Sequence, residues 1–473
     1  MNKKKKILIV CFLVLISIIS LTNFNFDPDY YWHISAGKYM VNHKFILTHD
    51  VFSWSVPSIY WTSHEWLFEV IIYKLSLLFP KTHAILYSFI GVFTLLLTIF
   101  LTNKEKCLKN LNFTCFWFII FIMISMGVIC PRPYMISNVL FALTLYLLFT
   151  TKDNEFSNKI YFLPLISILW SNVHGGSSNL SYILILIFIF TGLFDFELGN
   201  LKFVKNTKLQ NKKYLIVLIL CILTICINPH GIKMLTYPYE NMQDSFMLKT
   251  INEWQPTNFN KKQDLIYLGS LLFTLFTLII SKKKITFLDL TIILSFIFLG
   301  FKSVRFWSLS YIASTYVVFN YINEYKVSNK DLKAYCFFII LIIIFSVSMI
   351  ITKYPKLKDK VTKKMLSDKI IIYLQKDNCQ RLYNYYDYGG YLISKNIKVF
   401  IDGRADLYSN YNYKDYYNLS FLNNDYEKII NKYKFDCFVI PKKIPLAYYL
   451  KKNDNYNKVV ATKKIIIYKK DAS

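Results

Sequence analysis

The sequence has little charge for its length and lacks the short motifs by which many soluble enzymes bind nucleotides or zinc. Charged residues make up 18% of the 473 positions, whereas 54% are hydrophobic. The nine cysteines are scattered, with no CxxC pair and no spacing suited to zinc. Internal repeats, low-complexity linkers and a glycine-rich nucleotide loop are also lacking. These absences argue against a zinc-binding module and against a soluble nucleotide-dependent enzyme.

Long apolar runs recur between residues 7 and 352 and predict a polytopic α-helical membrane protein. Each crossing of about 30 Å of hydrocarbon needs roughly 20 apolar residues in a helix. The first run follows a lysine cluster without a small-residue cleavage site, so we expect an uncleaved helix with a cytoplasmic N-terminus. We predict about eleven membrane spans, at residues 7–22, 83–102, 113–130, 135–150, 160–173, 180–195, 214–228, 264–281, 286–301, 306–323 and 333–352.

The net charge of +27 is interpreted as a topology signal, because the lysines cluster at the ends of apolar runs. We therefore expect no nucleic-acid partner. The predicted inner segments contain 20 Lys and Arg residues, against 11 in the longer outer segments. This bias favours a multi-pass protein with a cytoplasmic N-terminus and an extracytoplasmic C-terminus. Residues 66–80 contain Glu69 and Lys74 and end at Pro80, which predicts an amphipathic helix at the outer interface instead of a span.

The composition changes after residue 353. Residues 397–402, 435–440 and 463–470 have the β-branched clusters of strands, and helix-like stretches lie at 368–377 and 425–433. We predict a transmembrane core at 1–352, with a first outer loop at 23–82, and a small extracytoplasmic α/β domain at 353–473. Within that domain Cys379 and Cys437 could pair, but the sequence leaves this open.

Two carboxylates, Asp27 and Asp29, flank Pro28 just beyond the first predicted span. They indicate a general base or a cation site, since a carboxylate beside lipid tends toward a raised pKa and the proline restrains the turn. The alternative is a capped turn that leads into an interfacial helix.

Other polar residues cluster in the predicted outer turns and in the C-terminal domain. Because polar groups at membrane depth are costly, their convergence on one face predicts a binding site. Arg132 and Arg305 either bind a substrate phosphate through two hydrogen bonds or extend to lipid phosphates. Asp402 and Arg404 follow a predicted strand, where the alternative is a structural ion pair. The candidate substrate-binding residues are His33, His64, Glu65, Arg132, Asn172, His174, His230, Glu253, Arg305, Asp387, Asp402 and Arg404.

A series of motifs resembles a bacterial family of membrane proteins that are described as glycosyltransferase-like and placed near the GT-C superfamily. The motifs are DPDYYWHISAGKYM, THDVFS, SHEWLFE, PRPYMIS, WSNVHGG, NPHGIKMLTYP, NEWQP, YDYGGYL and FIDGRADLY, and they cover most of the chain. The resemblance implies a GT-C-like core of many helices and a large first outer loop. It also implies that an acidic residue of this loop, Asp27 or Asp29, assists sugar transfer from a polyprenyl-phosphate carrier.

The stretch YYDYGG is similar to the WWDYG element of oligosaccharyltransferase catalytic subunits, with Tyr385 and Tyr386 in place of the two tryptophans. The later DxD or ExD motif of those enzymes is not evident. The metal site is therefore unknown: no cofactor is assigned, and a divalent cation stays open.

The resulting prediction is a cell-membrane glycosyltransferase that moves a sugar from a polyprenyl-phosphate-linked donor to an acceptor on the outer face. Arg132 or Arg305 would hold the donor phosphate, and Asp27 or Asp29 would deprotonate or orient the acceptor hydroxyl. The expected partners are the lipid-linked donor and membrane lipids, with the acceptor not identified. The alternatives are a polymerase, ligase or flippase for cell-surface glycans, and a non-enzymatic envelope scaffold.

Overall fold

The computed structural model describes residues 2–21, 24, 27–125, 130–241, 245–322, 365–376, 379–423 and 425–471. Contacts between residues divide the chain into two compact units, which we call the helical unit and the mixed unit. The helical unit comprises Met1–Asn25, Ala84–Met242 and Leu248–Val361. The mixed unit comprises Phe26–His83, Gln243–Met247 and Thr362–Ser473.

The helical unit consists of α-helices joined by short turns and 3₁₀ segments. Its helices are Asn2–Ser20, His83–Thr102, Lys104–Lys109, Leu111–Ser125, Tyr134–Asp153, Leu163–Val173, Leu180–Thr191, Lys208–Ile225, Lys233–Asn241, Lys262–Ile280, Phe287–Lys302 and Trp307–Tyr321. The short helix Ser245–Thr250 contains residues of both units. A small sheet joins Glu197–Leu198, Leu201–Lys202 and Ile285–Thr286.

Three helices among the described residues are long and apolar enough to cross a membrane: His83–Thr102, Tyr134–Asp153 and Lys262–Ile280. The prediction of eleven spans is therefore not confirmed. Several of the other predicted spans coincide with helices that are too short. Leu163–Val173, for example, has 11 residues and rises only about 16 Å. The predicted span 333–352 lies outside the described residues.

The helix Trp307–Tyr321 is buried along almost its whole length. Two of its polar side chains accept hydrogen bonds from neighbouring helices. Thr315 accepts a hydrogen bond from Trp117 Nε1 at 2.7 Å, and Ser310 accepts one from the Tyr267 hydroxyl at 2.9 Å. Because an unpaired buried polar group is costly, these partners explain how serine and threonine are accommodated inside an apolar helix bundle.

The mixed unit contains a four-stranded sheet and several short helices. Across the sheet the strands are Leu382–Asn384, Cys437–Pro441, Ile465–Lys470 and Tyr456–Ala461; the first pair is parallel and the others are antiparallel. Its helices are Tyr30–His43, Trp66–Leu78, Asp368–Lys376, Gly389–Ser394, Ala405–Tyr408, Tyr413–Phe421, Tyr426–Tyr433 and Pro445–Lys452. A disulfide bond joins Cys379 to Cys437, the pair that the sequence left open.

Two of the three predicted strands of this domain form, and the third does not. Residues 399–402 are buried, but the predicted strand 397–402 lies outside the sheet, because its backbone binds the first loop. The Trp54 N–H donates to Val399 O at 3.0 Å, and the Val399 N–H donates to Phe52 O at 3.3 Å. The β-branched residues of this segment are therefore explained by burial, and the segment does not pair with the sheet.

The first loop groups with the C-terminal domain in the mixed unit, whereas the sequence assigned it to the core. Its two helices cross closely at Gly37, where an added Cβ would lie 2.0 Å from Glu69 O. Trp66–Leu78 has 13 residues and rises about 20 Å, which is too short for a span. The predicted boundary between residues 352 and 353 lies outside the described residues.

Candidate functional site

The DPD turn, residues 27–29, directly precedes the helix Tyr30–His43. The Asp29 N–H donates to Asp27 Oδ1 at 2.9 Å, and the His33 N–H donates to Asp29 O at 3.1 Å. This is the local bonding of an Asx turn, in which a short carboxylate binds the backbone two residues later. Asp29 is the N-cap residue of the helix, but its side chain makes no capping hydrogen bond to the first turn, and both carboxylates are half-buried.

Two distant segments pack against the DPD turn through their glycines. An added Cβ on Gly390 would lie 2.8 Å from Pro28 O, and one on Gly403 would lie 1.8 Å from Asp29 Oδ1. An added Cβ on Gly389 would lie 2.3 Å from Ile401 O. These positions have no room for a side chain. The glycines of YDYGG and DGRAD thus allow both segments to close around Asp29.

The carboxylate of Asp387, in the YDYGG segment, is repelled electrostatically by the carboxylate of Asp27. Partial burial raises the pKa of Asp387 above its usual value, and the negative charge of Asp27 raises it further. The side chain of Asp387 nevertheless keeps substantial surface exposure. Two nearby carboxylates disfavour ionisation of both. The DPD turn therefore lies in an acidic environment in which one carboxyl group is biased toward its protonated form.

Arg404 is the centre of a buried ion-pair network behind the glycines. Its guanidinium makes two hydrogen bonds to Asp402, at 2.8 and 2.7 Å, and an ion pair with Asp50 at 2.7 Å. The Tyr408 hydroxyl donates to Asp402 at 2.6 Å, and the Trp61 ring lies 4.8 Å from the guanidinium carbon. Arg404 is 1% exposed, so this geometry favours the structural alternative over substrate contact.

Asp50 belongs to this network although sequence reasoning did not select it. Burial alone would raise the pKa of Asp50, but Arg404 and hydrogen bonds from Ser53 outweigh burial and lower it. The Ser53 N–H and hydroxyl both donate to Asp50 Oδ2, at 2.9 and 2.6 Å. The motif THDVFS contained this signal, because an Asp followed three residues later by Ser is a local capping pattern.

Histidines and glutamates of the first loop form a second buried group. His33 lies between two carboxylates, 3.7 Å from Glu65 and 3.6 Å from Glu69. Glu65 also lies 3.3 Å from His64 Nε2. Burial raises the pKa of Glu69 above its usual value, despite the favourable contacts from His33 and Ser63. The sequence selected His33, His64 and Glu65 but missed Glu69, which was treated only as a polar interruption of an apolar helix.

His64 makes the stability of the mixed unit depend on pH. Burial alone would lower the pKa of His64, but the carboxylates of Glu65 and Asp406 outweigh it and raise the pKa. The imidazolium thus contributes stability that is complete below about pH 6.5 and is lost as pH rises through the raised folded-state value. We expect His64→Gln to lower the thermal midpoint near pH 5.5 and to approach wild type in alkaline solution.

Thermal unfolding of the full chain between about pH 5.5 and 8.5 measures this effect. His43→Gln is the matched control, because His43 is exposed at the end of the helix Tyr30–His43 and its contacts are local, with Tyr39 and Phe45. A difference between His64→Gln and wild type that does not change with pH would contradict the assignment.

The candidate residues of the helical unit form two polar pairs. Arg132 pairs with Glu253 at 3.2 Å, and the Ser303 hydroxyl fixes the same loop by donating to Glu253 O at 2.8 Å. Arg305 Nη2 donates to His174 Nε2 at 3.2 Å, and its guanidinium carbon lies 4.7 Å from the Trp254 ring centroid. Both arginines thus occupy defined positions.

Hydrogen bonds fix the tautomer of His174. Because Nε2 accepts from Arg305, the proton of the neutral ring lies on Nδ1, which donates to Ser137 at 2.7 Å or Ser177 at 2.9 Å. Trp170 Nε1 donates to the same two hydroxyls, each at 3.0 Å. His174 therefore serves as a neutral, buried support that orients the Arg305 guanidinium.

Arg305 forms the polar end of a narrow apolar groove of about 40 Å³. Asn138 and Ser308 lie beside it, and the walls include Leu95, Phe121 and other apolar side chains. No carboxylate of the described residues lies within ion-pair distance of Arg305, whereas Arg132 is neutralised by Glu253. The groove itself has room for only a few water molecules, so its relevance is that it places beside apolar side chains a guanidinium without an acidic counter-charge among the described residues.

Asn172 and His230 have local structural roles in the helical unit. Asn172 Nδ2 donates to Ile168 O and to Ile227 O, each at 2.8 Å, and so links two helix ends. His230 is 8% exposed, and its N–H donates to Asn228 Oδ1 at 2.7 Å. These two residues therefore support turns of the helical unit, and neither of them bonds to Arg132 or Arg305 in the pairs described above.

Among the described residues, one group of three potential metal ligands lies close together: Cys379, Asp436 and Cys437. Their ligand atoms lie within 4.8 Å of one another. The two sulfurs are joined in the disulfide bond, so they are not available as thiolates. None of the catalytic or substrate-binding candidates predicted from the sequence belongs to this group.

Neither a protein-family model nor a curated protein matches the sequence. Solved structures of the oligosaccharyltransferase from Archaeoglobus fulgidus do match. The form tethered to an acceptor peptide with the NVT sequon has a TM-score of 0.53 at 12% identity, covering 98% of this chain and 74% of that chain. The apo form has a TM-score of 0.52 at 8% identity, covering 91% and 69%.

A third structure, of AglB from Archaeoglobus fulgidus with an inhibitory peptide and a dolichol-phosphate, has a TM-score of 0.51 at 10% identity, covering 90% of this chain and 68% of that chain. Identity this low shows the fold alone. The chain therefore shares the fold of an archaeal oligosaccharyltransferase. The comparisons support this distant similarity and do not extend to the bacterial family that the motifs resemble.

Proposed function

We propose that the chain is a membrane glycosyltransferase that moves a sugar from a polyprenyl-phosphate-linked donor to an acceptor outside the cytoplasm. The fold supports this class, and AglB from Archaeoglobus fulgidus was solved with a dolichol-phosphate, a long-chain isoprenoid phosphate. The observation that carries the proposal is the closure of YDYGG and DGRAD around the DPD turn, which leaves no space for a Cβ at Gly390 or Gly403. Such tight positioning is what an acid–base group needs for transfer.

The reaction replaces one bond at the anomeric carbon of the sugar. The bond from that carbon to the phosphate oxygen breaks, the bond to the acceptor oxygen forms, and polyprenyl phosphate leaves. Asp27 or Asp29 accepts or orients the proton of the acceptor hydroxyl as this bond forms. Burial and the nearby Asp27 carboxylate raise the pKa of Asp387 and so bias its own carboxyl group toward the protonated form.

We assign the donor phosphate to Arg305 in preference to Arg132, because the charge of Arg132 is already paired with Glu253. Arg305→Met is expected to raise the KM for the lipid donor about tenfold to 100-fold, since a charged hydrogen bond contributes about 1.5–3 kcal/mol. Its effect on kcat should be smaller. Initial rates at varied donor concentration measure this split, with the exposed neighbour Lys302→Met as the control.

An unchanged donor KM in Arg305→Met would remove Arg305 from the phosphate site. A tenfold rise of the donor KM in Lys302→Met as well would show that any loss of positive charge weakens donor binding. That result would contradict a specific role for Arg305.

The proposal places the chain in the cell membrane as a multi-pass protein, with the N-terminus cytoplasmic and the mixed unit extracytoplasmic. In the part of the chain that the structure describes, three helices have the length and composition for spanning. The disulfide bond between Cys379 and Cys437 supports an oxidising surrounding for the mixed unit, because such bonds are rare in the reducing cytoplasm. The acceptor is left to experiment.

The test is a transfer assay with the purified chain in proteoliposomes. A polyprenyl-phosphate sugar with a tritiated sugar is compared with the same sugar on a nucleotide, in the presence of an envelope extract as the acceptor source. We expect label to move to the acceptor fraction only from the lipid donor, with release of polyprenyl phosphate. Transfer from the nucleotide donor alone, or intact labelled lipid that has changed leaflet, would contradict the proposal; the second result would indicate a flippase.

A further inference from the structure

A second cavity of the helical unit does not include Arg305 in its lining. It has a volume of about 630 Å³, which is within the range of ligand pockets. Its charged lining includes five lysines, contributed by three separate segments of the chain: Lys106, Lys109, Lys152, Lys283 and Lys284. All five come from segments that the sequence predicts to be cytoplasmic. The lysines of distant segments thus converge on one cavity.

Three of these lysines bond to neutral oxygen atoms. Lys106 donates to the Asn320 side chain, and Lys283 donates to Asn320 O at 2.8 Å. Lys152 donates to Val204 O at 3.0 Å and also to the Asn206 side chain at 2.8 Å. Within the part of the chain that the structure describes, none of the three forms an ion pair. Their positive charge is therefore oriented by amide groups without being neutralised.

Three acidic residues also line the cavity and partly offset the five lysines. Asp289 is 4% exposed and is already engaged, because it accepts a hydrogen bond from the Tyr321 hydroxyl at 2.7 Å. Glu105 and Asp153 are exposed at the rim. Lys284 is already ion-paired with Glu197, which lies outside the lining, so the other four lysines face three acidic residues and leave an excess of one positive charge. Burial lowers the pKa of Lys106 in spite of the nearby acids. An incoming anion would relieve that unfavourable charge.

The remaining lining is suited to an amphipathic or aromatic part of a ligand. Phe149, Phe319 and Leu288 contribute apolar surface between the charged groups. A cavity that combines apolar walls with a few oriented cations is the usual architecture of a small-molecule site. Lysine anchors that serve only topology would point toward lipid phosphates individually and would not need to enclose a common space.

The cavity is separate from the groove at Arg305. Both touch the helix Tyr134–Asp153, the groove through Tyr134 and Asn138 and the cavity through Phe149 and Asp153. At 1.5 Å per residue the two positions are roughly 20 Å apart along this helix. Occupation of the cavity therefore does not depend on the proposed donor site or on the transfer reaction.

We propose that this lysine-lined cavity is a second binding site, for an anion that carries phosphate groups. The anion is either the head group of an acidic phospholipid or a soluble diphosphate compound, since both offer the oxygen acceptors that oriented ammonium groups bind. The site lies at the end of the helical unit that the sequence predicts to be cytoplasmic, and its occupation does not require a sugar donor.

Binding by the full chain in nanodiscs tests the proposal. Inorganic pyrophosphate is titrated by calorimetry into protein in phosphatidylcholine nanodiscs, and retained phosphatidylglycerol is counted by native mass spectrometry from mixed nanodiscs. We expect at least one probe to bind wild type, and Lys152→Met with Lys283→Met to weaken that binding by about tenfold or more. Lys212→Met is the control, because Lys212 is exposed on the helix Lys208–Ile225 and does not line the cavity.

The two probes separate the sources of the phosphate. Lysine-dependent binding of pyrophosphate identifies a soluble ligand, and lysine-dependent retention of phosphatidylglycerol identifies a lipid. Binding of neither probe by wild type, or equal binding by wild type and the variants, would overturn the proposal. Lys283→Met alone keeps the test decisive if the double variant does not fold, because Lys283 is exposed and its loss removes little packing.

Discussion

Replacing both aspartates of the DPD turn by asparagine is expected to lower sugar transfer by about 10²- to 10⁴-fold, the usual contribution of a positioned acid–base group. Asparagine keeps the side-chain oxygen that accepts the Asp29 N–H in the turn. The turn and the helix that follows should therefore persist, while the proton-accepting carboxylates are lost. The measurement is the rate of label transfer from the tritiated lipid donor under single-turnover conditions.

The single variants Asp27→Asn and Asp29→Asn identify which carboxylate carries the effect. Asp454→Asn is the control, because Asp454 is an exposed carboxylate of the same unit that lies outside the DPD turn and its glycine contacts. Transfer by the double variant within a few-fold of wild type would exclude both aspartates from the chemistry, and loss in Asp454→Asn would show a non-specific charge effect.

Replacing Arg404 by methionine is expected to lower the free energy of unfolding by about 3–5 kcal/mol, because it removes one partner of a buried ion-pair network. Asp402 is fully buried and Asp50 is 2% exposed. Without the guanidinium, two carboxylates would stay in an apolar surrounding without their counter-charge. The loss of packing against Trp61 and Phe52 adds to the cost.

Chemical denaturation of the full chain, followed by tryptophan fluorescence, measures this loss. Arg381→Met is the matched control, since Arg381 is exposed in the same unit and its guanidinium donates to Tyr433 O at 3.1 Å. A change of about 1 kcal/mol or less is expected there. If Arg404→Met were as stable as Arg381→Met, the network would not be a structural support of the site.

The sequence predicted the individual motifs but not their assembly. YDYGG and DGRAD lie more than 350 residues after the DPD turn, and no local pattern shows that their glycines close on it. The structure shows the close approaches at Gly389, Gly390 and Gly403, where an added Cβ would meet atoms of other segments. Local conformational freedom can be read from sequence, whereas the partner of a close approach requires the fold.

Buried charges explain most of what the sequence missed. Glu69 has no distinctive spacing, and the spacing of Asp50 and Ser53 indicates only a local turn. The importance of Asp50 and Glu69 comes from Arg404 and His33, which the fold brings to them. Asp402 and Arg404 were selected as substrate-binding candidates, but the same contacts favour a structural role. A charged residue in an outer loop looks the same in the sequence whether its side chain faces solvent or a buried counter-charge.

Hydrophobic runs predicted helices better than membrane spans. Tyr134–Asp153 matches the predicted run at 135–150 and is long enough to cross, while Leu180–Thr191 matches the run at 180–195 but has 12 residues. Apolar composition records burial, and burial inside a helix bundle and exposure to lipid have the same sequence signature. Helix length in the folded chain is the quantity that distinguishes them.

The rate of sugar transfer by Gly403→Ala tests most directly whether the DGRAD backbone positions Asp29 for the reaction. The added Cβ would lie 1.8 Å from Asp29 Oδ1, so the carboxylate must rotate away while the fold is retained. Gly269→Ala, whose added Cβ meets nothing within 4 Å, is the control. We predict a loss of about 100-fold in Gly403→Ala with an unchanged thermal midpoint. A wild-type rate in the folded variant would contradict the account.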